Sequence, residues 1–92
     1  MLSDRTNNEP GDAEALALAA LAATLTDDRR AQRFLDLTGL DAGDLRARAG
    51  DRGLLAALLA FLEAHEPDLE DVAQAIGIRP EKLASLRSEL EC

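Results

Sequence analysis

Apolar residues fall at the three- and four-residue intervals of helices from Asp12 onward, and they are densest between Leu54 and Leu62, read Leu-Leu-Ala-Ala-Leu-Leu-Ala-Phe-Leu. Projected at about 100° per residue, Leu54, Leu55, Leu58, Leu59, Phe61 and Leu62 gather on one broad side. Ala56, Ala57, Ala60 and Ala64 line the other. A helix apolar nearly all round belongs at the centre of a core, its large side chains filling one layer and its alanines letting a neighbour approach closely on the other.

The same spacing predicts shorter helices on either side. Asp12 caps a first helix running to about Leu25, in which Leu18, Leu21 and Leu25 share a face and Leu16 points elsewhere among alanines, so that more than one side is buried. Thr26, as a hydroxyl cap ahead of Asp27 and Asp28, opens a second helix to Thr38. It turns Ala31, Phe34, Leu35 and Thr38 inward and Arg29, Gln32, Arg33 and Asp36 outward, and Gly39 ends it. Asp41 and Asp44 form the pattern of a capping box for a short helix to about Ala49, closed by Gly50, with Leu45 its only large apolar side chain. Asp51 caps the central helix, which stops near Glu66 because Pro67 cannot continue an interior turn. Two more helices follow, from Asp68 to Ile76 and from Pro80 to about Leu90, broken at Gly77, with Val72, Ile76, Leu83, Leu86 and Leu90 inward. Residues 1–11, with Asn7, Asn8, Pro10 and Gly11, read as a disordered tail, and 12–92 as one helical domain. The expected fold is all-α, a compact bundle of five to six short helices around the central Leu/Ala-rich one.

Composition strengthens this picture and narrows the partners. Eighteen Leu and eighteen Ala stand against one Val, two Ile, two Phe and no Trp or Tyr, which favours helix and starves a sheet of the residues it needs. Eighteen acidic against ten basic residues give a net charge of −8, a balance that repels polyphosphate and anionic lipid, so nucleic acid and membrane surfaces are disfavoured as partners. The single cysteine, Cys92, permits no internal disulfide and fits a reducing compartment. No stretch reads as an export signal, since the Ala/Leu run from Ala13 to Leu25 is preceded by acids, and its thirteen residues fall short of the about 20 that span a bilayer. A cytoplasmic location is expected.

Candidate chemistry is sparse. Leu69 to Leu90 fits helix-turn-helix spacing, with Val72 and Ala73, the turn at Ile76-Gly77-Ile78, then Leu83 and Leu86 at core positions. Arg79, Lys82 and Arg87 would then face DNA, against Glu81 and Glu89 on the same helix. Whole-chain charge makes this the secondary reading, because non-specific DNA affinity rests on cations that release counterions. His65, the only histidine, is expected to pack its ring on the Leu54, Leu58 and Leu62 side and to hydrogen-bond a free carbonyl at the helix end. No second histidine or nearby cysteine completes a zinc site. Arg29 and Arg33, one turn apart with Arg30 beside them, form either a carboxylate- or phosphate-binding face or a solvated row paired with neighbours such as Asp36. Calcium loops, glycine-rich phosphate loops and a Ser or Cys nucleophile paired with His are absent. Neither catalytic residues nor a cofactor is expected. The chain reads as a non-enzymatic module that binds another protein, or itself, through an apolar or arginine-lined helix face.

Arg33-Phe34-Leu35-Asp36-Leu37-Thr38-Gly39, the leucine-rich central helix, Ala64-His65-Glu66-Pro67 and the Gly77-Ile78-Arg79-Pro80 break together resemble the short, all-helical bacterial proteins grouped as DUF3572, a domain of unknown function. The resemblance runs from about Ala13 to Leu90 and is most specific in the Arg-Phe-Leu-x-Leu-Thr-Gly run and the His-Glu-Pro corner. It implies a single-domain protein without an assigned activity or cofactor, so it transfers no catalytic residue. It directs attention to Arg33, Thr38, His65 and Glu66 as helix-end fastenings or parts of one shared surface.

Overall fold

A computed structural model describes residues 10–91. Six helices follow one another: α1 Pro10–Leu25, α2 Asp28–Thr38, α3 Ala42–Ala47, α4 Arg52–Glu63, α5 Glu66–Ile76 and α6 Pro80–Glu91. Among the described residues there is no strand, and the all-α bundle holds. The predicted tail lies outside the described residues except at Pro10 and Gly11, which belong to α1, two residues ahead of the expected start at Asp12.

Helix α4 is the centre of the packing. It lies against α1, α5 and α6, and Leu54, Leu55, Leu58, Leu59 and Leu62 are all buried along it. Its alanine side differs from the expectation: Ala57 and Ala60, with Ala64 just past the helix end, are exposed, because among the described residues no helix covers that side. Helix α1 keeps only Leu21 of its expected leucine face inward. Ala13, Ala17, Ala20, Leu21 and Thr24 point inward while Leu18 and Leu25 remain 44% and 38% exposed. Small side chains on the inner face let α1 approach α4, α5 and α6 closely, and the buried Thr24 hydroxyl donates to the Ala20 carbonyl at 2.8 Å.

The ends of the helices follow from local chemistry, with corrections to several expected bounds. Asp27, not Thr26, caps α2, its carboxylate accepting from the Arg30 amide at 3.0 Å, while the Thr26 hydroxyl donates back to Ala23. That amide bond is the main reason the Asp27 carboxyl lies below its usual range. Gly39 and Gly77 end α2 and α5 at φ of 75° and 78°, a conformation that costs other residues about 1 kcal/mol. Asp41 and Asp44 form the full capping box, but α3 stops at Ala47 and Gly50 has no left-handed turn to make. Finally α4 ends at Glu63 and α5 begins at Glu66, two residues before Asp68, because Pro67 fits the first helical turn, where its missing N–H is not needed.

Ion pairs fasten the layers. Arg52, at the start of α4, donates to the Glu89 and Leu90 carbonyls at the end of α6, with Nε and Nη2 at 2.9–3.2 Å. Its Nη1 reaches Glu14 of α1 at 2.5 Å. Arg87 of α6 meets Glu63 of α4 with two parallel bonds of 3.0 Å, which raises the arginine pKa further. Among the described residues no helix is long and apolar enough to cross a membrane.

Candidate functional site

Asp68 organises the most connected polar cluster. Starting α5 at Glu66 sets Asp68 in the first turn and points its side chain back toward α2, where it is 4% exposed. Its Oδ1 accepts from Arg30 Nε at 2.8 Å. Its Oδ2 accepts from Arg33 Nη2 and lies 3.0 Å from His65 Nδ1. Arg30 extends to the exposed Asp71 at 3.0 Å. Burial is the largest influence on the Asp68 carboxyl and pushes its pKa up, yet the bonds from Arg33, Arg30 and His65 together outweigh it and hold the value down to about 2.

The sign of the linkage follows. The folded pKa of about 2 lies below the ordinary 3.8, so the ionised carboxylate contributes about 2 kcal/mol of stability above the ordinary value, lost as pH falls through the folded one. Denaturant midpoints taken at about pH 6, 4, 3 and 2 should therefore hold steady to near pH 4 and fall below it. In Asp68→Asn the fall over that window should be smaller by about 2 kcal/mol.

These bonds shape a surface. Arg33 is half-exposed, and its guanidinium lies over the Phe61 ring, 5.3 Å from the centroid. Phe34 of α2, fully buried, meets Phe61 of α4 at 5.2 Å with the rings tilted by 58°. Both contacts draw α2 against one side of α4 and leave a shallow groove between them, of about 770 Å³. Leu37, Ala57, Ala60, Phe61 and Ala64 supply its apolar wall, and Arg33 and His65 its polar edge. Leu37 is 66% exposed.

The sequence-derived candidates thus divide. Arg33 and His65 come together on one oxygen of Asp68. Arg29 and Glu66 are exposed beside them, without an ion pair within 4 Å among the described residues. His65 does not pack on Leu54, Leu58 and Leu62: those leucines face the core, and the imidazole, 54% exposed, turns to Asp68 instead of a helix-end carbonyl. Nor does the arginine row pair with Asp36, which accepts from Gln32 at 2.9 Å. Sequence reasoning passed over Asp68, read only as a helix start; Arg30, named there only beside Arg29 and Arg33, holds its Oδ1. The one local signal of Asp68 is a carboxylate directly after Pro67, in the turn where a helix favours negative charge.

On the α5–α6 hairpin, Arg87 is held by Glu63 and lies 3.6 Å from Glu91, and Lys82 lies 4.0 Å from Glu89. Arg79 is exposed. Among the described residues no three His, Cys, Asp or Glu side chains are placed to hold a metal ion. The groove wall contains no Ser, Thr or Cys. His65, its Nδ1 turned to Asp68, lies at the groove edge.

Six helices among the described residues, on a leucine core and with an apolar groove edged by a carboxylate-bound histidine and arginine, make this an all-helical protein. The chain belongs to the family described as protein of unknown function (DUF3572), whose model matches residues 10–92. Comparison with curated proteins and with solved structures finds no match.

Proposed function

We propose that this chain is a non-enzymatic interaction module that receives another protein, or a second copy of itself, on the α2–α4 groove. The observation that carries the reading is Leu37, left 66% exposed beside exposed Ala57 and Ala60 of α4 and Ala64 just past its end. Water-exposed apolar groups in one concave strip favour an apolar helix face laid along it, because each contact removes surface from water without moving the scaffold. Arg33 and His65 are already fixed by Asp68, so the edge of the strip is ordered before a partner arrives. The hairpin reading, in which Arg79, Lys82 and Arg87 contact DNA, draws less support, since Arg87 and Lys82 lie against carboxylates.

Ala60→Arg tests the proposal, because the position is exposed and the new side chain fills the strip. Its stability should change by no more than about 0.5 kcal/mol. Tagged protein with Cys92→Ser is expected either to retain one protein at stoichiometric amount from native lysate or to sediment as a concentration-dependent dimer, and Ala60→Arg to lose that behaviour. A monomer that retains nothing, or a variant that retains the same partner, overturns the reading.

A further inference from the structure

A second concavity, of about 440 Å³, opens between α1, α2 and α3. It exists because α1 turns its alanines to the core, setting Leu18 and Leu25 on its outer side, and because α3 has a single buried side chain, Leu45. Nine of its ten lining residues are Leu or Ala, and the tenth is Arg46. The volume falls within the range of about 300–1,000 Å³ common to small-ligand sites.

Among the described residues Arg46 holds no carboxylate. Its neighbours three and four positions away on either side are Ala42, Gly43, Ala49 and Gly50. Among the described residues none of its nitrogens makes an ion pair within 4 Å, whereas Arg30, Arg33, Arg52 and Arg87 all do. Among the described residues Arg29, Arg48 and Arg79 also make no such pair, but none of them lines this cavity. In a chain with eighteen acidic residues, an apolar cavity edged by one cation and no anion is complementary to an apolar molecule with one negative charge.

We infer that this cavity binds a medium-chain aliphatic carboxylate, its alkyl chain against Leu18, Leu21, Leu25, Leu35 and Leu45 and its head group on the Arg46 guanidinium. Guanidinium and carboxylate match in a two-bond fork. A dianionic head group is less suited, since a single arginine faces it and the net charge of −8 repels it. A peptide is less suited too. Walls of Leu and Ala offer no partner for backbone N–H and C=O groups, whereas an alkyl chain has none to satisfy.

The test is titration of ¹⁵N-labelled protein with hexanoate, octanoate and decanoate below their micellar concentrations, beside decanol and decyltrimethylammonium. Saturable binding is expected, with amide shifts confined to α1, α2 and α3 and affinity rising roughly fourfold per added methylene. Arg46→Ala should weaken decanoate about tenfold and leave decanol unchanged. Ala22→Phe, which fills the cavity from an exposed position, should abolish both. Thermal melts of both variants confirm that they fold. The inference is overturned by absent binding, by equal affinity for decanoate and decyltrimethylammonium, by shifts centred on another face, by an Arg46→Ala variant that binds decanoate as tightly, or by a dimer whose interface covers the cavity.

Discussion

Asp68→Ala is expected to destabilise the fold by about 3 kcal/mol, lowering the melting temperature by on the order of 15 °C. The carboxylate is 4% exposed and accepts from Arg30, Arg33 and His65. Removing it leaves the Arg30 guanidinium, only 13% exposed, with the solvent-facing Asp71 as its remaining partner. An uncompensated charge that is largely out of water costs more than the pair contributes, so truncating one partner of such a pair is severe. Half-exposed Arg33 and His65 recover water and add little to the loss. The variant's deficit should shrink toward about pH 2, where the parent carboxyl is itself becoming protonated. A deficit of equal size at pH 7 and pH 2 would mean that packing, not charge, made the contribution.

Leu58→Ala should be larger still, at about 4 kcal/mol. Leu58 is fully buried on the helix that α1, α5 and α6 all touch, so the vacated volume is walled by several helices and cannot close by a shift of one. A domain of this size is stable by only about 5–10 kcal/mol, which makes the loss a large share of the total. Ala57→Leu, one position earlier but exposed, should change stability by no more than about 0.5 kcal/mol. Denaturant melts of the two variants check this pair, with the midpoint shifting and the slope unchanged.

Both variants bear on what the sequence conveys. The leucines of α4 were legible because only one arc of that helix carries large side chains, so its phase is defined. Helix α1 is apolar nearly all round, and with Leu and Ala on every side periodicity carries no phase; close approach then selected the alanines for the inner face. The turns at Gly39 and Gly77 and the capping box at Asp41 and Asp44 were legible because each involves residues within a few positions of one another. The site was only half legible. Arg33 and His65 stood out as residue types, but the carboxylate that joins them is 35 positions from Arg33, and no local pattern encodes that pairing. The same holds for the α2–α4 groove, which exists because nothing covers Ala57 and Ala60, a fact about the whole packing order and not about α4.

Helix α1 rests on α4, α5 and α6, and its Glu14 is held by an arginine 38 positions later. On a ribosome α1 is therefore made before the helices that complete its packing. At about 5–20 residues per second, several seconds pass between its emergence and that of α6. During that interval its alanine face and its leucine face are both in water, which makes the nascent chain most prone to association before α6 arrives.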